Sequence, residues 1–330
     1  MTAYARVRVP CSTSNLGAGF DCVGVAVDRW LAVSARRAAA GERGPTIRRF
    51  GAVQAVDLPA ERDLVHVGFA AACRAAGREV PGDLVLDVRS EIPVGRGLGS
   101  SAAAVVAGAA AANALLPLAL DLHAIAELCT AIEGHPDNVA PAVYGGATLA
   151  TRVEDGRLVV APLEIHASLA LVFAVPDFAI ETKRARAVLP ESVSHDTAVV
   201  AAARSAALVR GLASAHPELV ATGLNDVLHV PHRRALIPGY DGVTAAAVRS
   251  GAIGATLSGS GSTIVAVSPR DAVRAVEDAM AAAWRAIDVA VETFHSAGHV
   301  HGVEIVDDTN VDGSTPTTGA AHDPLSFRRS

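Results

Sequence analysis

Pro93-Val94-Gly95-Arg96-Gly97-Leu98-Gly99-Ser100-Ser101-Ala102 is a glycine-punctuated turn that runs straight into an alanine-rich segment. Three glycines within five residues let the backbone turn tightly and bring its N–H groups close to a ligand. Ser100 stands where a helix N-cap is expected, ahead of Ala102, Ala103, Ala104, Val105 and Val106. A helix start offers unpaired N–H donors and the positive end of the macrodipole, so the turn suits phosphate. It is not a Walker A loop, which needs Gly-Lys-Ser/Thr, because the only lysine in the chain is Lys183. A relaxed dinucleotide fingerprint also fits, with Asp121 about 20 residues further on. That unit needs a second strand ending at the acid. Residues 103–116 instead read as helical, and Asp121 reads as the N-cap of the next helix. From the turn alone, phosphate binding, a dinucleotide site and a plain tight turn stay open.

The chain has 330 residues, enough for a substantial core divided between two domains. Hydrophobic residues make up 51% and charged residues 19%, which describes a folded globular chain. Aromatic content of 4% and a net charge of −6 give neither a basic footprint nor stacking platforms, so nucleic acid is not expected as a partner. No membrane partner is expected either. Residues 97–120 carry no charge, but alanine dominates them and Pro117 interrupts, so a buried helix is the reading. The N-terminus has no apolar run of the secretory kind. Cys11, Cys22, Cys73 and Cys129 form no C-x-x-C pair or zinc spacing, and they read as reduced thiols of a cytoplasmic protein.

Residues 5–9 alternate as a strand that Pro10 ends, and residues 23–35 return to strand-like composition. Residues 64–76 carry a helical period, and 83–89 alternate as a strand. Helices are expected over 100–115 and 121–133, a loop over 134–140, and a hairpin from 145–150 and 157–161 around Asp155-Gly156. Further on, 169–175 reads as an apolar strand, 194–214 as a long helix and 243–250 as a shorter one. Strands at 253–257 and 263–267 flank a small-residue turn. A helix over 271–286 follows, and strands at 289–294 and 300–306 close the sheet. This order implies an α+β domain with a mainly antiparallel sheet. Beyond Val306 the composition is that of a mobile tail.

Four clusters could carry chemistry. Asn15-Leu16-Gly17-Ala18-Gly19-Phe20-Asp21 puts an amide and a carboxylate on one compact loop. Glu127 and Glu133 precede Gly134-His135-Pro136-Asp137-Asn138. Six residues apart, the two carboxylates point roughly 120° apart on a helix, so only one can face a given metal, the usual magnesium arrangement being completed by phosphate oxygens. Lys183-Arg184-Ala185-Arg186 and His232-Arg233-Arg234 offer guanidinium forks for a carboxylate or phosphate. Ser258-Gly259-Ser260-Gly261-Ser262-Thr263 lets a turn pack closely on another loop. Ser194-His195-Asp196 is contiguous and cannot form a hydrolase triad. His229/His232 and His295/His299/His301 lack carboxylates or cysteines at ligand spacing.

Together these segments resemble the galactokinase–homoserine kinase–mevalonate kinase–phosphomevalonate kinase (GHMP) superfamily, and within it the homoserine kinases. Residues 9–21 resemble its first motif and 93–102 its phosphate loop. Glu133-Gly134-His135-Pro136-Asp137-Asn138-Val139-Ala140-Pro141 resembles a stretch particular to the homoserine kinases, and 182–190, 231–239 and 257–263 match the remaining blocks in order. The resemblance implies a two-domain α+β fold. Its N-terminal part (1–162) would be ribosomal S5 domain 2-like, and its C-terminal part (163–306) a ferredoxin-like α+β sandwich, followed by the tail at 307–330. It implies ATP-dependent phosphorylation of the L-homoserine hydroxyl, with Mg²⁺, and a homodimer. Pro93, Val94, Gly95, Arg96, Gly97, Leu98, Gly99, Ser100, Ser101, Ala102 and Ala103 would bind ATP. Ser101 and Glu127 would hold the metal, with Glu133 as the rival of Glu127. Asn15 and Asp21 would bind the amino and hydroxyl end of homoserine, while His135, Arg186 and Arg233 would secure its carboxylate end. Asn138 stands where mevalonate kinase relatives place an aspartate base, so Asn138 and Arg186 would act by positioning and charge stabilisation. A kinase for another small alcohol, such as mevalonate or shikimate, and a non-catalytic nucleotide- or amino-acid-binding regulator are the alternatives.

Overall fold

The computed structural model describes residues 4–42 and 44–306. The expected mobility of the tail at 307–330 concerns residues outside that range. The first sheet is built from β1 (Tyr4–Asn15), β2 (Gly19–Arg37), β3 (Thr46–Gly51) and β4 (Leu84–Ser90). The antiparallel pair β5 (Ala147–Arg152) and β6 (Leu158–Leu163) joins it through β2, forming the hairpin expected around Asp155-Gly156. Against this sheet pack α2 (Ser100–Leu115) and the short α4 (Val139–Tyr144), while α1 (Leu64–Ala75) and α3 (Leu122–Glu133) pack against α2. The uncharged segment is α2, which buries Ala102, Ala103, Val105 to Ala112 and Leu115. It approaches α1 at backbone distance: a Cβ on Gly68 would meet the Val105 carbonyl at 2.1 Å, and one on Gly108 the Val65 carbonyl at 1.9 Å. An apolar helix this small in cross-section can sit under three neighbours, and that packing fixes where its N-terminus emerges.

The second layer holds β7 (Leu169–Pro176), β8 (Gly254–Leu257), β9 (Ile264–Pro269) and β10 (Val291–Ser296), in the order β10-β7-β9-β8 with every pair antiparallel. Between β7 and β8 run α5 (Thr182–Ala187), α6 (His195–Ser214), α7 (Pro217–Leu224), α8 (Val230–Arg233) and α9 (Tyr240–Arg249), and α10 (Val273–Arg285) crosses from β9 to β10. As read from the sequence, Asp121 caps α3 through the Ala124 amide at 2.7 Å; Ser194, expected as the first residue of a helix over 194–214, is instead the N-cap of α6. Among the described residues no helix is long and apolar enough to cross a membrane.

Four details depart from the sequence reading. Pro10 does not end β1. The strand continues to Asn15 and absorbs the missing N–H at a register shift between Pro10 and Cys11. β3 is an edge strand parallel to β4 whose two arginines hid its β character, and Arg48 and Arg49 pair with Asp87 and Asp63. The 134–140 loop ends early, because α4 starts at Val139 and tolerates Pro141 in its first turn. Finally, 300–306 does not close the second sheet. β11 (Glu304–Ile305) returns to pair with β1 in the first.

Candidate active site

A cleft of about 450 Å³ opens between the two layers, lined by the 94–101 turn, the end of β1 with Asp21 of β2, the end of α3 with the loop after it, α5, Arg233 and the turn between β8 and β9. Backbone accounting explains how the turn faces it. The carbonyl of Gly95 accepts from the Ile180 amide (2.9 Å), that of Arg96 from Thr263 (3.1 Å), and that of Leu98 from Ser12 (3.2 Å). The Gly97 carbonyl accepts from the Ser258 hydroxyl at 2.6 Å. A planar trans peptide points its C=O and N–H in opposite directions, so fixing the carbonyls on the walls turns amides of this turn toward the cleft. Gly95, Gly97 and Gly99 all take positive φ. At Gly97 a side chain is excluded twice over, since a Cβ would meet the Ser258 carbonyl at 2.1 Å.

The N-cap of α2 is Gly99 in the left-handed conformation, not Ser100, and no side chain caps it. Ser100 is instead the first helical residue, and with Ser101 it lines the cleft. The uncapped first-turn amides of α2 therefore point at the same space as the glycine turn. Of the residues expected to bind ATP, Val94, Gly95, Gly97, Gly99, Ser100 and Ser101 line the cleft. Pro93, Leu98, Ala102 and Ala103 lie behind it and support the turn. The Arg96 side chain leaves the cleft altogether and donates to the carbonyls of Pro176 and Asp177, tying the turn to the end of β7.

Glu127, expected to hold the metal, does not line the cleft. Its carboxylate accepts from the Leu158 amide at 2.8 Å, beside His123 and away from the cleft. Glu133, at the last turn of α3, is the acid that reaches the glycine turn: its Oε2 accepts from the Ser101 hydroxyl at 2.7 Å. Burial pushes the Glu133 carboxyl above its ordinary pKa despite the Ser101 hydrogen bond that opposes it. A half-buried carboxylate and a hydroxyl held together at the mouth of the glycine turn are a hard-oxygen donor pair of the kind Mg²⁺ takes when phosphate oxygens and water complete its ligands. Among the described residues no group of three His, Cys, Asp or Glu could hold a metal.

Across the cleft, Asp21 and Arg186 form a two-pronged pair, Nη2–Oδ1 at 2.8 Å and Nη1–Oδ2 at 3.1 Å. That hydrogen bonding raises the Arg186 pKa against its partial burial. Asn15 is buried, with Oδ1 accepting from the Asp21 amide and Nδ2 donating to the Gly259 carbonyl, both at 2.9 Å. It thus orients Asp21 from beneath. Arg233 is 2% exposed and donates from Nε to the Ala185 carbonyl and from Nη1 to the Gly259 carbonyl. Burial, aided by the neighbouring Arg186 charge, pushes its pKa down to about 10. Nη2 has no hydrogen-bond partner among the described residues. His135 contacts Asp137 at 2.6 Å from Nδ1. Burial opposes its charged form, but the Asp137 hydrogen bond and charge outweigh burial and hold its pKa above the ordinary value. The Asn138 amide lies between two serines. Its Oδ1 accepts from Ser12 and its Nδ2 donates to Ser14, both at 2.9 Å.

Sequence reasoning gave no role of their own to Ser12, Ser14 and Asp137, while it did single out the Ser258–Thr263 turn as one that packs on another loop. The run Ser12-Thr13-Ser14 at the buried end of a strand was the available signal, because buried hydroxyls need partners. The only lysine, Lys183, is exposed on α5 and does not line the cleft.

Residues 64–146 match the family of the GHMP kinase N-terminal domain and residues 205–286 that of the GHMP kinase C-terminal domain. A homoserine kinase of Synechococcus sp. is 41% identical over 305 residues, covering 92% of this chain and 98% of that protein. One from Gloeobacter violaceus is 42% identical over 281 residues, or 84% and 92%. The crystal structure of homoserine kinase from Cytophaga hutchinsonii superposes with a TM-score of 0.82 at 30% identity, covering 93% and 98% of the two chains. The fold, the collinear motifs and these relatives agree: the chain belongs to the GHMP kinases and, among them, to the homoserine kinase family.

Proposed function

We infer that this chain transfers the γ-phosphoryl group of ATP to the side-chain hydroxyl of L-homoserine, giving O-phospho-L-homoserine for threonine biosynthesis. One observation carries the reading. A single cleft joins an uncapped helix start and glycine turn to a carboxylate and guanidinium set side by side, Asp21 with Arg186, and to the buried Arg233. The first half suits a polyphosphate and the second an α-amino acid, whose ammonium and carboxylate need opposite charges a few ångströms apart.

In this reading the amides of 95–101 hold the phosphates, and Ser101 with Glu133 would hold Mg²⁺. Bound there, the metal neutralises charge on the phosphate oxygens. Arg233 and His135 secure the carboxylate of homoserine, Arg186 adds charge toward the transferred group, and Asp21 takes the ammonium. Asn138 cannot act as a base, since an amide does not accept a proton at neutral pH. Locked between Ser12 and Ser14, it orients the attacking hydroxyl toward phosphorus, and the hydroxyl proton leaves to a phosphoryl oxygen or to solvent. Phosphoryl transfer through a loose transition state asks for alignment and charge compensation more than for covalent help. Cytoplasmic location and assembly as a homodimer belong to the same reading, as properties the family implies.

The test is ADP release by the purified chain with ATP and Mg²⁺, supplied in turn with L-homoserine, L-serine, mevalonate and shikimate. Release that depends on L-homoserine is expected. Preference for an alcohol lacking the amino-acid head would overturn the assignment.

A further inference from the structure

His229 lies just behind the cleft wall, fully buried, at the residue before α8. Asp226 shapes that turn, its Oδ2 accepting from the amides of Leu228, His229 and Val230 at 3.0, 2.6 and 2.8 Å. The ring makes two hydrogen bonds, Nε2 with the Gly17 carbonyl at 3.0 Å and Nδ1 with Arg233 Nη1 at 3.2 Å, and its Nε2 also lies 3.8 Å from Asp226 Oδ2. A carbonyl oxygen only accepts and a guanidinium nitrogen only donates, so Nε2 carries the proton and Nδ1 offers a lone pair. The two partners thereby select one neutral tautomer. An imidazolium would set an N–H against an N–H and a cation against a cation. Consistent with this, burial and the Arg233 charge lower the His229 pKa against the pull of Asp226.

The same ring stacks on Phe20 with centroids 4.7 Å apart, and the Arg233 guanidinium carbon lies 5.2 Å from the Phe20 ring centre. Gly17 lies in the loop between β1 and β2, and Phe20 stands at the start of β2 just before Asp21, whereas Arg233 comes from α8, more than 200 residues later in the chain. Among the Arg233 acceptors, Nδ1 of His229 is the one supplied by a side chain; the others are the carbonyls of Ala185 and Gly259.

We propose that His229, as the neutral Nε2–H tautomer, is the positioning residue that aims the Arg233 guanidinium into the cleft and locks it in register with the Asp21 loop. It touches no substrate and acts through Arg233. The inference rests on the reading that Arg233 and Asp21 hold the amino-acid substrate.

Three substitutions separate its two contacts. His229→Asn keeps an acceptor near the Nδ1 position for Arg233, His229→Gln keeps a donor near Nε2 for Gly17, and His229→Leu keeps neither. Steady-state KM for both substrates and the calorimetric Kd of L-homoserine are measured on each variant. His229→Leu raises KM and Kd for homoserine at least tenfold and leaves the ATP KM within twofold. His229→Asn returns homoserine KM to within threefold of the unsubstituted chain, and His229→Gln recovers less. On an Arg233→Ala background, His229→Leu adds less than twofold. The proposal is overturned if His229→Leu leaves homoserine affinity unchanged, if it moves both substrates equally, or if its effect multiplies with that of Arg233→Ala. Should the leucine variant not fold, the order of Asn and Gln decides, and equal losses in both overturn the proposal. Failure of the unsubstituted chain to turn over homoserine would instead overturn the functional reading and this inference with it.

Discussion

Replacing Gly97 by alanine tests whether the glycine turn works by the close contacts described above. Two costs arise, and they can be separated. The first is the left-handed backbone, φ +74° at Gly97, which costs an alanine about 1–2 kcal/mol. The second is the neighbour: the added Cβ would lie 2.1 Å from the Ser258 carbonyl oxygen and within about 3 Å of backbone atoms of Gly261. No flexible side chain can yield there, so loop and turn must separate by more than an ångström to reach ordinary contact. That separation strains the bonds from Ser258 Oγ to the Gly97 carbonyl and from the Thr263 amide to the Arg96 carbonyl. At roughly 0.5–1.5 kcal/mol each, their loss adds about 1–3 kcal/mol. Gly77 supplies the control, with φ +64° and nothing within 4 Å of the point a Cβ would occupy. Both variants carry the backbone cost, and only Gly97→Ala adds the contact cost. Urea denaturation should place Gly77→Ala about 1–2 kcal/mol below the parent and Gly97→Ala about 2–5 kcal/mol below it. Calorimetric titration with a non-hydrolysable ATP analogue should show at least about tenfold weaker binding for Gly97→Ala, equivalent to about 1.4 kcal/mol, and no weakening for Gly77→Ala. Equal stability losses together with unchanged nucleotide affinity would refute the claim that the turn is held in place by the β8–β9 wall.

Glu133→Gln should raise the Mg²⁺ concentration for half-maximal rate at least about tenfold, whereas Glu127→Gln should leave it within twofold; the reverse pattern would restore Glu127 as the metal residue. Asn138→Ala should lower kcat by less than about a hundredfold, because removal of a true general base costs about 10²–10⁴; complete loss with folding intact would contradict base-free transfer. Burial pushes the Cys11 and Cys22 thiols up to about 12 and about 11, so Cys22 in the folded chain should react with a disulfide reagent at pH 8 about a hundredfold more slowly than an unfolded thiol. The same shifts mean that the unfolded chain releases those protons first, so stability should fall as pH rises above about 9, and a urea midpoint that climbs there would contradict the burial.

What could be read in advance was whatever the chain encodes locally. The glycine turn, the Asp121 cap and the Asp155-Gly156 hairpin each depend on a handful of adjacent residues. What escaped depends on distant residues meeting. Glu127 and Glu133 sit on the same helix with no local difference to rank them. Only the approach of α2 shows that Ser101 meets Glu133, and only β6 shows that the Leu158 amide claims Glu127. The pairing of β11 with β1 brings together residues almost 300 positions apart, and the two residues of β11 carry no signal of their own. His229 was legible in part. Its four-residue spacing from Arg233 suits a contact across one helical turn, but weighing it with His232 as a metal pair led away from the guanidinium.

The absence of a lysine from the phosphate turn now has a physical account. A lysine brings one mobile charge, and its position must be fixed when the nucleotide binds. Here the positive potential comes from peptide dipoles and the start of α2, and their orientation is set during folding by the bonds that hold the carbonyls of residues 95–98. Those bonds come from both layers of the molecule: Ser12 from β1, Ile180 from the segment after β7, and Ser258 and Thr263 from the β8–β9 turn. Fixed dipoles need little reorganisation as charge develops, and that is where their advantage over a flexible ammonium lies. The arrangement has a corollary for stability. Because donors from the second layer orient a turn belonging to the first, a substitution that loosens the packing of β8 and β9 should weaken nucleotide binding without touching the nucleotide.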